Sequence, residues 1–108
     1  MGKIQTISQL ARICQRLRKQ GKTIGLITGC FDILHFGHIQ LFRFAKKHCD
    51  ILAIGVDSDR TLKLNKGKGR PIFPENIRLE DLAEIESVDY IFLIKNTIRF
   101  DSPEAEEI

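Results

Sequence analysis

The chain contains no tryptophan, one tyrosine, one methionine and three prolines in 108 residues, and its shortages narrow what it can be. No aromatic residue stands among the basic residues between positions 60 and 70, so the stacking platform on which single-stranded nucleic acid is held is not expected there. The three cysteines, Cys14, Cys30 and Cys49, are odd in number and widely spaced. They form neither a disulfide framework nor a paired Cys-x-x-Cys metal knuckle, and three reduced thiols are expected. No apolar run approaches the ~18 residues of a membrane span. The opening stretch from Met1 to Lys22 is polar and amphipathic, without a signal-peptide hydrophobic region. A cytoplasmic location and no membrane partner are therefore expected. A Gly-x-Gly-x-x-Gly fingerprint is missing, which removes support for a dinucleotide cofactor. Gly21-Lys22-Thr23 imitates the end of a P-loop, but Arg16 stands where that motif needs glycine, and the triplet precedes its strand instead of following it.

What is present is a globular balance, 43% hydrophobic and 29% charged, which excludes collagen, coiled coil and outright disorder and predicts one soluble domain over 1–108. The net charge of +3 conceals an asymmetry. Residues 1–74 carry 14 basic and 4 acidic groups, +10, while residues 75–108 carry 3 basic and 10 acidic groups, −7. A basic body favours anionic ligands without distinguishing a small phosphate from a polyanion.

Hydrophobic periodicity supplies the elements. Thr6 and Gln9 have capping-box spacing, Leu10, Ile13, Cys14 and Leu17 recur at helical intervals, and Gly21 marks a stop. Ile24–Thr28, Ile51–Val56 and Val88–Ile94 read as buried strands. A helix is expected from about Gly37 to His48 and another from about Glu75 to Glu86, with a capped turn at Asp57-Ser58-Asp59 and a loop from Arg60 to Pro74. Strands alternating with helices imply parallel pairing, hence an α/β, Rossmann-like doubly wound sheet. Ser102, Pro103 and Glu104 start a further helix with almost no body, and three strands are few for this architecture. The expectation is a domain incomplete at its C-terminus. The alternative is association, for example as a homodimer, through the unpaired edge of the first strand.

The densest set of chemically useful residues runs from Thr28 to His38, where the first strand gives way to a helix. That is the ligand position of open α/β sheets. Helix N-terminal amides favour phosphate, Gly29 and Gly37 permit close backbone approach, and His35 and His38 could both donate hydrogen bonds to phosphate oxygens. Asp32, His35 and His38 could instead bind a transition metal, but no downstream His or Cys completes a ligand set. A bland reading also exists, with His38 part of the helix stripe and His35 an ordinary loop residue. The stretch from 60 to 74 holds Arg60, Lys63, Lys66, Lys68 and Arg70 without one acid, either a phosphate-facing loop or a solvated one.

Gly29-Cys30-Phe31-Asp32 followed by His35-Phe36-Gly37-His38 resembles the His-x-Gly-His signature of the cytidylyltransferase-like nucleotidyltransferases. The similarity continues through Lys3-Ile4, Gly55-Val56-Asp57-Ser58-Asp59, Lys66-Gly67-Lys68-Gly69-Arg70-Pro71-Ile72, Arg78 and Val88-Asp89-Tyr90. Within that superfamily the combination is most similar to the D-glycero-β-D-manno-heptose 1-phosphate adenylyltransferases and, more distantly, the glycerol-3-phosphate cytidylyltransferases. The resemblance implies transfer of AMP or CMP from ATP or CTP, carried with Mg²⁺, to a small phosphorylated metabolite such as a sugar phosphate, with release of pyrophosphate. It implies that His35 and His38 bind the phosphates and stabilise the transition state, and that Gly29, Gly37 and the Cys30-Phe31 backbone line the nucleotide. Lys66 and Lys68 would cover the triphosphate, Arg78 would face phosphate, and Asp32 and Asp57 would lie on the substrate side, with no direct protein ligand for the metal. The family's late Ile-Ser-Ser/Thr-Thr type segment has no counterpart in this sequence. The rival expectation is a nucleotide- or RNA-binding or regulatory module without chemistry.

Overall fold

The computed structural model describes residues 2–95. Helix α1 spans Ile7–Lys19. Its start is fixed by a reciprocal cap in which the Gln9 amide donates to Thr6 Oγ1 at 3.1 Å and the Thr6 amide donates to Gln9 Oε1 at 2.9 Å, satisfying two N–H groups that the helix itself leaves unpaired. It ends where Gly21 takes a φ of 83°. That left-handed turn lets the Gly21 and Lys22 amides close on the carbonyls of Arg18 and Leu17.

Three parallel strands follow the expected places: β1 Ile24–Gly29, β2 Ile51–Asp57 and β3 Tyr90–Ile94, in spatial order β1-β2-β3. Ile54 of the central strand stands beside Ile27 on one side and Ile91 on the other. Alternation along β2 divides the interior in two. Leu52, Ile54 and Val56 meet Phe42 of α2 (Phe36–Lys47) and Leu82 of α4 (Glu75–Ala83) in the main core. On the other face α1 turns Leu10 toward Ala53, Leu26 and Phe92. The central strand is thus covered from both sides, which is why Leu52 through Val56 are all buried and the strand reads as an unbroken apolar run, while Leu26 of β1 stays exposed. Ile54 is fully buried. Ile54→Val is expected to cost about 1 kcal/mol, read as a lower urea midpoint at unchanged slope; no loss at all would show that the core collapses around the missing methyl.

The structure departs from the sequence expectation in three places. A helix, α3, occupies Asp59–Lys66, inside what reads as loop. Ser58 caps it by accepting from the Thr61 amide at 3.2 Å, and Thr61 and Leu62 are buried beneath its basic outer face. Helix α4 stops at Ala83, three residues short of the expected end. The N-terminal segment also reaches the sheet, because Ile4 bridges Ile91 in parallel register through Gln5 N to Ile91 O and Ile91 N to Lys3 O, both 2.9 Å. Among the described residues β1 has β2 as its single strand neighbour. The expected helix start at Ser102-Pro103-Glu104 lies outside the described residues. No helix among the described residues is long and apolar enough to cross a membrane.

Candidate active site

The chain leaves β1 through Gly29 and turns at Phe31, whose φ of 49° is left-handed, an uncommon state for a bulky residue. The turn drives the Phe31 ring inward, where it meets the rings of Phe42 and His38 edge-on at centroid distances of 5.6 and 5.4 Å. Glycine at position 29 makes room for it, since a Cβ there would lie 3.0 Å from Phe31 Cζ. With its ring committed to the core, Phe31 offers the site only its backbone, and the half-exposed Cys30 stands beside it.

His35 is the N-cap of α2. Its Nδ1 accepts from the Gly37 amide at 3.0 Å, and His38 Nδ1 in turn accepts from the His35 amide at 3.2 Å. An acceptor nitrogen carries no proton, so in this geometry the N–H of each ring stands at Nε2. Each is left one N–H donor to present. The rings lie 4.0 Å apart at 34°. Burial, and then the neighbouring His35, hold the His38 pKa below the ordinary value of 6.5, which keeps the His38 ring neutral at physiological pH. Gly37 is required by contact: a Cβ there would fall 2.8 Å from His35 Cε1.

Two expected ligand residues turn out to be occupied by the protein itself. Asp32 is buried. Its Oδ1 accepts from the Ile72 and Phe73 amides at 2.8 and 3.0 Å, and its Oδ2 accepts from Arg70 Nη1 at 2.9 Å. Both oxygens are thus supplied with donors from within the protein. Burial alone would raise its pKa, but the two amides and the Arg70 guanidinium outweigh that and bring it down to about 2. A depressed carboxyl pKa stabilises the folded state above the ordinary value of 3.8 and loses that contribution as pH falls toward 2. The wild type is therefore expected to lose on the order of 2 kcal/mol more than Asp32→Asn between pH 5 and 2, checked by urea titrations at each pH; parallel curves would show that Asp32 is not held as an anion.

Arg78 is the second such residue. It is 1% exposed, with Nε donating to Phe73 O at 3.0 Å, Nη1 to Cys30 O and Asp57 O at 2.7 Å each, and Nη2 to Asp59 Oδ1 at 2.8 Å. It clamps the ends of β1 and β2 and the start of α3 to the segment before α4. Asp57 closes β2 one strand over from Gly29. Its carboxylate is half-exposed and makes no hydrogen bond or ion pair among the described residues.

Lys66 ends α3 and Lys68 sits between Gly67 and Gly69, whose φ values are 82° and 88°. Both lysines are exposed, and neither touches the histidines. The link between the two loops is Arg70 with Asp32, together with the Ile72 and Phe73 amides, a connection that sequence reasoning missed. Its one local signal is that Asp32 stands between Phe31 and Ile33, where a carboxylate inside apolar neighbours must find donors.

Residues 26–98 match the family model described as cytidylyltransferase-like. The chain is 41% identical over 92 residues to the bifunctional protein HldE of a Nitratiruptor species, covering 85% of this chain and 20% of that protein. To the HldE of Nitrobacter winogradskyi it is 46% identical over 78 residues, covering 72% and 16%. It spans about a fifth of the length of these curated relatives. Among solved structures, the lipopolysaccharide core biosynthesis protein of Thermoplasma volcanium superposes with a TM-score of 0.62 at 34% identity, covering 79% of this chain and 65% of that one.

Proposed function

Because this chain belongs to the cytidylyltransferase-like family, we propose that it carries the nucleotide-binding part of an enzyme that transfers AMP or CMP from a nucleoside triphosphate to a small sugar phosphate and releases pyrophosphate. The observation that carries this reading is the pair of Nε2–H donors at the head of α2. They are oriented by two Nδ1 acceptor bonds and sit at the end of the first parallel strand.

In this reading the acceptor phosphate attacks the α-phosphorus in line. A bond forms from its oxygen to phosphorus as the bond to the pyrophosphate oxygen breaks. The attacking oxygen is already ionised near neutral pH, so no base is needed and the protein contributes positioning and charge stabilisation. His35 and His38 donate to the non-bridging oxygens as negative charge builds, helped by the positive end of α2. Neutral imidazoles suit this role, since the Nδ1 lone pairs that orient them survive only while the rings are unprotonated. Mg²⁺ enters as part of the nucleotide substrate and neutralises the departing pyrophosphate. Lys66 and Lys68 supply cationic side chains for the same triphosphate. A sugar phosphate such as heptose 1-phosphate is favoured as acceptor by the motif resemblance and by a structural neighbour named for lipopolysaccharide core biosynthesis.

The test is pyrophosphate release from Mg·ATP and Mg·CTP in the presence of heptose 1-phosphate or glycerol 3-phosphate. Preference for oligonucleotide over either triphosphate, with affinity falling steeply in salt, would sink the reading in favour of a polyanion-binding module. Replacing Lys66 and Lys68 together with alanine is expected to weaken triphosphate affinity about tenfold, measured by calorimetry, with helix content by circular dichroism unchanged. Unaltered affinity would assign the two lysines to solvent.

A further inference from the structure

Asp32 and Arg78 are buried side chains of opposite charge that hold the same two segments together. Asp32 belongs to the loop that carries the histidines and takes the N–H groups of Ile72 and Phe73. Arg78 takes the Phe73 carbonyl and, with another N–H, the Cys30 carbonyl of that same histidine loop. Phe73 is therefore held by its N–H from one side and by its C=O from the other. Asp32 also draws in Arg70, the last residue of the basic stretch. The ion pair is uneven in a telling way, since the Asp32 side chain is 4% exposed and that of Arg70 41%. The anchor is interior and the tethered group lies at the surface. Lys66 and Lys68, joined to this anchor by only a few residues, have no fixed partner of their own among the described residues.

We infer that Asp32 and Arg78 are positioning residues, which act on the nucleotide through the 70–73 segment by setting where the basic loop stands relative to His35 and His38. The inference rests on the nucleotidyl-transfer reading for its functional half and on geometry alone for its structural half. Charge-assisted bonds to buried groups are the strong ones, and two of opposite sign on the successive peptide groups of one residue fix both its place and its orientation. A loop held in this way can offer lysines to a triphosphate without first being ordered by it, which lowers the cost of binding.

The experiment has two readouts on the full chain. Asp32→Asn keeps the shape, but its amide nitrogen can only donate, and every partner of Asp32 is itself a donor. Hydrogen exchange of the Ile72 and Phe73 amides is expected to rise about tenfold or more beyond the rise at Ile54 in β2, which reads the global stability lost with the Asp32 anion. Equal acceleration of Ile54 would mean global destabilisation, no acceleration would mean no grip, and either overturns the inference. Should Asp32→Asn fail to fold, Arg70→Ala removes one surface-side anchor and is expected to shift the same two amides in the same direction by less. The second readout is a cycle on Mg·ATP and Mg·CTP affinity that combines Asp32→Asn with Lys66→Ala/Lys68→Ala. Non-additive losses are expected, because a loop without its lysines gains nothing from being placed. Additive losses overturn the coupling. If the unsubstituted chain binds neither nucleotide, the nucleotidyl-transfer reading and this coupling fall together, and the exchange data decide the structural grip alone.

Discussion

Replacing His38 with alanine is expected to lower turnover by a factor of about 10²–10³, the usual loss when one preorganised donor is withdrawn from a developing charge. The loss should appear in kcat more than in KM, because the bond strengthens as charge accumulates on the transferred group. Alanine also removes the acceptor for the His35 amide and the ring packed against Phe31, so stability should fall by about 1 kcal/mol from the lost cap. Two further substitutions separate the roles. His38→Asn places Oδ1 where Nδ1 stood and should recover the cap without recovering turnover. His38→Gln reaches the Nε2 position with a donor and should recover part of the turnover. A variant that melts by several kcal/mol while turning over normally would make His38 a core residue and nothing more. Acid should act on the same group. The His38 pKa is depressed in the folded protein, so its contribution to stability is complete above pH 6.5 and declines as pH falls through that value toward the folded pKa.

Arg78→Ala is expected to destabilise the protein by about 3–5 kcal/mol, the cost of breaking a buried charged pair and leaving its partners unsatisfied. Three carbonyls and the Asp59 carboxylate would lose their donors at once. Arg78→Lys should not rescue it, since a single ammonium cannot serve acceptors lying in several directions around a planar fork. Denaturant midpoints and nucleotide affinity measured on the same samples distinguish this from a phosphate-contacting arginine. An unchanged midpoint with weakened triphosphate binding would restore the phosphate role and contradict the clamp.

The parts legible in the sequence are those whose cause lies within a few residues. Thr6 with Gln9, Gly21 after α1 and the His35-Phe36-Gly37-His38 spacing act through contacts at most five residues apart, and the three apolar runs are legible from their local composition although their strand partners are distant in the chain. Helix α3 was legible only at its cap. Ser58 signals a start, but Gly67, Gly69, Pro71 and Pro74 crowd the following stretch, and the burial of Thr61 and Leu62 depends on what folds over them. Asp32 and Arg78 lie beyond any such reading. Their partners stand 40, 41 and 48 residues away in the chain, and the same aspartate or arginine in the same local sequence could have faced a ligand. The tertiary structure decides the matter, because a charge taken out of water must be satisfied completely, and only the folded chain brings the Ile72 and Phe73 amides to one and the strand-end carbonyls to the other.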